Sequence, residues 1–371
     1  MFKKAIYLFI IFILVISCRR AVTRPTLDSM GTPPEEPDSP IIDEKPDPNP
    51  DPKPDSEFII LATDTEEEIQ NKIQKYYEKN KEYLAFVEGS EEDIKQNKTI
   101  EKINTVINKN AYTEGVSLDL SATTITEIVD NSFYGNKYLY SVKLPDTLTT
   151  IGNNAFADSK KLISINFPPS LIKIGNGAFL SCTSLEEVNL KETKITILNE
   201  QVFNSCDKLS KVVLPDVLLT IENNVFAYCI SLEEIALPSN VEVIKQFVFD
   251  GCEKLKKVNL NNKLKSINSY AFYGCSSLSS ISFPSSLEVL GESGIAEIFT
   301  DCISLSDVEY LGTNPDAVTW FGNIFDNSMP QNLYLPNVEE PVDSTIKDKW
   351  NEFLKYDWTD KIKYKQSMPT N

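Results

Sequence analysis

Phenylalanine returns through the middle of the chain at a nearly fixed interval: Phe133, Phe156, Phe179, Phe203, Phe226, Phe249, Phe272 and Phe299, spaced by 23, 23, 24, 23, 23, 23 and 27 residues. A leucine stands six positions after each, from Leu139 to Leu305. Nine positions after comes Val or Ile (Val142, Ile165, Val188, Val212, Ile235, Val258, Ile281, Val308), and eleven after comes Leu, Phe or Tyr. Proline follows in five units, at Pro145, Pro168, Pro215, Pro238 and Pro284, and a second apolar pair such as Leu148 with Ile151 precedes the next Phe. A period of this length with so many fixed apolar positions is the signature of a solenoid, in which no single unit can bury its own apolar faces and each turn is stable only against its neighbours.

The geometry of one turn follows from the spacing. In Leu-x-x-Val-x-Leu the last two apolar residues share one face of a short strand and the residue between them points outward. Stacking in parallel register sets successive strands about 4.8 Å apart. Proline ends the strand where no further ladder bond is needed. The second pair supplies a shorter extended piece on the opposite wall, and the segment around each Phe closes the coil as a helical or 3₁₀ turn. The expected fold is a repeat solenoid of about eight 23-residue turns with parallel strands on its concave face.

The flanks read differently. Residues 1–17, "MFKKAIYLFIIFILVIS", place Lys3 and Lys4 before an apolar run from Ala5 to Ile16, which is short for a spanning helix and laid out as an export signal. Residues 18–57 are rich in Pro and acidic residues, as in "PDPNPDPKPD", and read as an extended, disordered stalk without a calcium loop. Residues 58–115 form a helical N-terminal cap. Ile69, Ile73, Tyr76 and Tyr77 recur at helical spacing behind a Thr65 or Asp64 cap, and Ile94, Ile100, Ile103 and Ile107 follow Ser90. The repeats occupy 116–336. Residues 337–371 form a C-terminal cap, with Ile346, Trp350, Phe353 and Leu354 on one helical face.

Two resemblances add to this reading. "VISC" at 15–18 resembles the bacterial lipobox, which implies cleavage before Cys18 and lipid attachment to it. Several acyl chains anchor a protein where one would not. A plain secretory signal with a coincidental cysteine, or an uncleaved anchor, is the alternative. The repeat itself, as in "LISINFPPSLIKIGNGAFLSC" and "LEEIALPSNVEVIKQFVFDGC", resembles the BspA-like, Treponema-type leucine-rich repeat over about residues 116–336. Units depart from it at 189–198, which lacks the Pro, and at 289–299, which carries four extra residues. That family is rich in surface adhesins that engage host matrix proteins or other bacteria. The resemblance therefore implies a lipid-anchored surface binding protein, on the outer membrane and exposed.

Composition narrows the function. A formal charge of −18 argues against nucleic acid or an anionic membrane surface as partner, so membrane contact is expected through the N-terminal lipid alone. The chain has no histidine, which removes His-based triads, Cys–His dyads and His metal sites and weakens most enzyme readings. No cofactor or metal is called for.

Cys182, Cys206, Cys229, Cys252, Cys275 and Cys302 each lie three residues after a repeat Phe, where the first two units have Asn136 and Ser159. They lack zinc-like pairing. Stacked equivalent positions hold near-parallel Cβ vectors about 4.8 Å apart. A disulfide needs Cβ atoms nearer about 3.8 Å and turned together. Buried free thiols, each giving a weak hydrogen bond to a loop carbonyl, fit best.

Outward positions on the first strand are the candidate surface for a protein or glycan ligand, extracellular by the export reading. Glu187, Lys211, Glu234 and Lys257 become lateral neighbours of alternating sign and read as a solvated, self-paired face. The less charged stretches stand out as candidate binding positions: Tyr140, Ser141, Lys143, Ile163 and Asn166 toward one end, Ser279, Ser280 and Ser282 toward the other. A periplasmic or envelope-internal interaction scaffold is the competing functional reading.

Overall fold

The structure, a computed structural model, describes residues 53–292 and 296–369. The export segment, Cys18 and the stalk up to residue 52 lie outside the described residues. Within the described residues, Lys53 pairs with Glu88 at 2.8 Å and Asp55 with Lys79 at 2.6 Å.

The N-terminal segment carries the expected helices, joined by two strands that helical periodicity did not reveal. Strand β1 (Ile59–Leu61) leads into α1 (Glu66–Asn80), then β2 (Tyr83–Gly89), α2 (Glu91–Gln96), α3 (Thr99–Lys109) and β3 (Val116–Thr123). Thr65 and Glu68 form a reciprocal capping box at the start of α1, and three glutamates in its first turn complement the helix dipole. Ser90 caps α2 by accepting from the Asp93 N–H at 3.1 Å. The helix then breaks at Lys98, whose φ is 53°. β1, β2 and β3 pair in parallel, which requires the helical crossovers between them. In β2, Ala85, Phe86 and Val87 are all buried, so both faces of the strand are covered and its apolar residues run together instead of alternating.

β3 passes the ladder to the first repeat strand, Leu139–Lys143, and this to Ser164–Ile165. Later turns add Glu187–Asn189, Lys211–Val213, Glu234–Ala236, Lys257–Asn259, Ser280–Phe283, Asp307–Tyr310 and Asn332–Leu335. We call this the long-strand wall. Two-residue strands from Glu127–Ile128 to Thr319–Trp320 form the opposite, short-strand wall, also in parallel register. Where proline ends a long strand, its carbonyl accepts the turn N–H three residues on, as from Leu148 to Pro145 and from Leu218 to Pro215. In the first of the three units lacking proline, Asn189 Oδ1 accepts from the Lys191 N–H at 3.1 Å and the Thr193 hydroxyl donates to the Leu190 carbonyl at 2.7 Å.

The Phe segment supplies a third backbone ladder. Within each turn the bonds are of the 3₁₀ type, such as Asn136 N–H to the Phe133 carbonyl. The residues two before and two after the Phe are left-handed in each of the eight units, including Gln201, Phe247, Tyr228 and Tyr270, which do not favour that conformation. The alternation aims every second N–H at the next turn: Asn131, Phe133 and Gly135 donate to the carbonyls of Asn153, Ala155 and Ala157 at 2.9, 2.7 and 2.7 Å. Inter-turn hydrogen bonds thus run along three sides of the coil, and they hold the strained residues in place.

Inside, the phenylalanines stack face to face. Consecutive centroids from Phe133 to Phe299 lie 5.2–5.8 Å apart, with rings within 15° of parallel. Phe325 in the worn last turn adds a further rung at 5.7 Å. The insertion before Phe299 leaves its ring in register. Beside them runs the thiol row. Each of the six cysteines is free and buried, and its Sγ donates to the carbonyl of the previous turn's Phe at 3.1–3.3 Å. Ser159 and Ser328 make the same bond at the ends, at 2.9 and 2.6 Å. The cysteines are core donors.

At the C-terminus, helix α4 (Ser344–Asn351) stops earlier than the pattern suggested, because Leu354 and Lys355 turn left-handed at φ 57° and 56°. Trp350, Phe353, Leu354 and Trp358 are buried over the last turn, whereas Ile346 is exposed and takes no part in the cap. A closing strand, Ile362–Tyr364, pairs in parallel with Asn332–Leu335.

Candidate functional site: the outward faces of the solenoid

On the long-strand wall, most outward polar groups bond to their neighbours. Lys211 stands opposite Glu187 in register and pairs with it at 3.3 Å; Lys256 pairs with Glu233 at 2.9 Å, and its hydrogen bond holds the Glu233 carboxyl below the usual range. Glu234 stands opposite Lys257. A shallow depression of about 300 Å³ here has Glu186, Lys208, Glu233 and Lys254 on its rim, with both signs interleaved.

The residues singled out from the sequence lie on this wall. Tyr140 is exposed, with its Cβ lying over Gly115, where an added Cβ would come within 2.7 Å of it. The Ser141 hydroxyl bonds that of Ser117 at 2.8 Å, and Lys143 Nζ lies 3.6 Å from Asp119. Ile163 is half-buried. Asn166 uses both ends of its amide on the Leu144 backbone, accepting from the N–H at 2.6 Å and donating to the carbonyl at 3.2 Å, and so ties one strand end to the next turn. Ser279, Ser280 and Ser282 sit together and half-buried. The Ser279 carbonyl accepts from Ser306, and the Ser282 hydroxyl donates to Glu309 at 2.5 Å. Glu309, itself buried, also receives the Met368 N–H at 2.9 Å. Tyr140 is the least committed of the eight.

The short-strand wall was not singled out, and it carries a different feature. Ile172, Ile197, Val217 and Leu219 are 54%, 44%, 48% and 53% exposed on adjacent turns. Backbone bonds place them side by side: Lys194 N–H donates to the Leu171 carbonyl, Leu219 N–H to the Thr196 carbonyl, and Ile197 stands in register with Thr220. Lys173 and Lys194 flank them and are in no ion pair among the described residues. Farther along the same wall the positions equivalent to Ile172 and Leu219 are charged and paired, Lys265 with Glu242 at 2.8 Å. Seven residues before the Phe stand Ile172 and Leu219, where other units have Thr149, Thr196, Glu242 and Lys265. That break in an otherwise polar register was the available signal. Four branched or large aliphatics held in water on contiguous turns form the kind of patch that marks an interaction surface.

The pattern of the BspA type leucine rich repeat region matches residues 105–232 and 219–340, in 6 copies. The chain belongs to the BspA-type leucine-rich repeat family. Among solved structures, this BspA-type chain is similar to a T. pallidum leucine rich repeat protein, at 30% identity over 44% of this chain and 78% of that one, with a TM-score of 0.42. A leucine-rich repeat protein from Bacteroides ovatus matches at 22% identity over 58% and 74%, TM-score 0.40. One from Eubacterium ventriosum matches at 18% over 64% and 68%, TM-score 0.39. No curated protein matches the chain. Among the described residues, no helix is long and apolar enough to cross a membrane.

Proposed function

We propose that this BspA-type protein is a lipid-anchored bacterial cell-surface binding protein that engages a protein ligand through the side of its solenoid. The observation that carries the reading is the patch of Ile172, Ile197, Val217 and Leu219 on the short-strand wall, which contrasts with the laterally paired charges farther along that wall. Its flanking lysines suit a partner that presents apolar side chains together with carboxylates. The family's adhesin members supply the ligand class, host matrix proteins or other bacteria. The lipobox-like "VISC" at 15–18 and the Pro/Asp-rich stalk support display outside the cell, since a spacer matters most on a crowded surface. The scaffold works by shape and surface chemistry, with no reaction assigned to it.

Protease digestion of intact cells, blotted with serum against residues 58–371, tests display. Loss of the protein while a periplasmic control survives supports it. Full protection until the envelope is broken refutes display and reassigns the protein to an envelope-internal scaffold. Binding to immobilised matrix proteins and partner bacteria then tests the patch. Leu219→Glu should abolish capture while leaving the thermal midpoint unchanged, and retained capture would exclude the patch.

A further inference from the structure

The C-terminal cap leaves an open groove of about 560 Å³ between the end of the short-strand wall and the strained turn that follows α4. Its one wall is the half-buried indole of Trp320, held edge-on by Phe353 at 6.2 Å. The same lining carries Asp348, Glu352 and Asp357, with Lys355 as its single basic residue. Nearby lysines are engaged elsewhere: Lys349 pairs with Asp316, and Lys347 pairs with Glu340 at 2.6 Å. Among the described residues, neither Asp348 nor Glu352 has an ion-pair partner. Asp357 accepts from the Thr359 N–H at 3.0 Å, and its hydrogen bonds to Thr359 hold the carboxyl below its usual range.

We propose that this groove binds a cationic side chain, lysine or arginine, presented by a protein ligand. An aromatic face set against carboxylates attracts a cation twice, through the ring quadrupole and through charge. The same rim already contains one such arrangement within the chain: the Lys361 ammonium sits 4.7 Å from the centroid of the Tyr356 ring. That contact occupies a face of Tyr356, and the half-buried Trp320 is the other ring on the lining. A neutral sugar would also stack on the indole and donate its hydroxyls to the carboxylates, but it gains nothing from the excess of negative charge, three carboxylates against the ammonium groups of Lys355 and Lys361. The turn at Leu354 and Lys355, two consecutive left-handed residues without glycine, is what brings Lys355, Tyr356 and Asp357 to the lining.

The test uses the full chain and its own fluorescence. Of its three tryptophans, Trp350 and Trp358 are fully buried, so a solute entering the groove changes the emission of Trp320. Nα-acetyl-arginine amide and Nα-acetyl-lysine amide should change the emission saturably, and the effect should weaken as salt is raised. Nα-acetyl-norleucine amide and a methyl glycoside should not change it. Asp348→Asn with Glu352→Gln, both exposed positions, should weaken binding of the cationic probes about threefold to tenfold at an unchanged thermal midpoint. An equal response to norleucine amide or the glycoside, or unchanged affinity in the charge-neutral variant, overturns the proposal. The groove and the Ile172–Leu219 patch are tested by different variants: Leu219→Glu leaves the Trp320 response intact, so either reading can fail without the other.

Discussion

The stacked phenylalanines make a sharp energetic prediction. Phe226 is fully buried, with rings 5.8 Å away on both sides, Phe203 and Phe249, each within 7° of parallel. In Phe226→Leu the replacement keeps most of the apolar volume, and such swaps cost up to about 1.5 kcal/mol. Two ring pairs are lost as well, each worth about 0.5–1.5 kcal/mol beyond burial. The total is about 1–4.5 kcal/mol, larger than for Phe133→Leu, where Phe133 stacks on Phe156 alone among the rungs. A double-mutant cycle measured by urea unfolding separates stacking from filling. Phe226→Leu with Phe249→Leu should show a coupling of about 0.5–1.5 kcal/mol. Phe156→Leu with Phe249→Leu, whose rings do not touch, should add within about 0.5 kcal/mol. Unchanged m-values would confirm that the whole array still unfolds as one unit. If the adjacent pair couples no more strongly than the separated pair, the rungs act only as volume, and the stacking argument is wrong.

Four further outcomes follow, three of them from buried groups. The six repeat cysteines should resist iodoacetamide at pH 8 in the native state and all react in denaturant, because each thiol is enclosed, and burial lifts those of Cys182, Cys206, Cys229, Cys252 and Cys275 above the usual value. Cys229→Ser should be tolerated, as Ser159 and Ser328 already fill that position, while Cys229→Ala should cost about 1 kcal/mol in urea unfolding. Alkali should destabilise the fold in two stages. The raised thiols hold their protons in the folded state, so their contribution is complete below about pH 8.5, the unfolded thiol value, and falls as pH rises above it. Tyr112, pushed up by burial to about 12, adds a second loss between about pH 10 and 12, measurable as a falling thermal midpoint. Thr65→Ala should remove the α1 capping box and lower stability by about 1 kcal/mol in the same unfolding assay.

What the sequence made legible was whatever it repeats. Phe, Leu and Val return at fixed offsets because the same interior space recurs on every turn, and strand register, proline stop and thiol role all follow from that. The left-handed residues were partly visible where Gly135, Gly177, Gly251 or Gly274 stands, and invisible at Gln201, Phe247 or Tyr270, where the inter-turn N–H bond imposes the conformation. β2 escaped notice because burial on both faces erases its alternation. Ile346 looked like core because its spacing from Trp350 is helical, yet the turn at Leu354 redirects the cap and leaves it in water. At the surface the difficulty was of another kind. Asn166 and Ser282 look like free polar groups in sequence, and only the neighbouring turn, 22 or 27 residues away, shows that their bonds are already made.

That last point bears on how such a solenoid can carry recognition at all. An outward residue on a parallel stack has a lateral partner on each side, so a regular pattern of side chains tends to satisfy itself: Glu with Lys, Ser with Ser, Asn with the backbone of the turn before. A ligand can then find unspent interaction only where the register is broken or where the stack ends. The short-strand wall breaks register at Ile172, Ile197, Val217 and Leu219, because aliphatic side chains cannot pair as charges do and remain exposed. The C-terminal cap ends the stack at Trp320, whose strand is the last of the short-strand ladder. The two candidate sites therefore share one physical origin, the absence of a matching neighbour, and the regular stretches between them serve to hold these places at fixed separation.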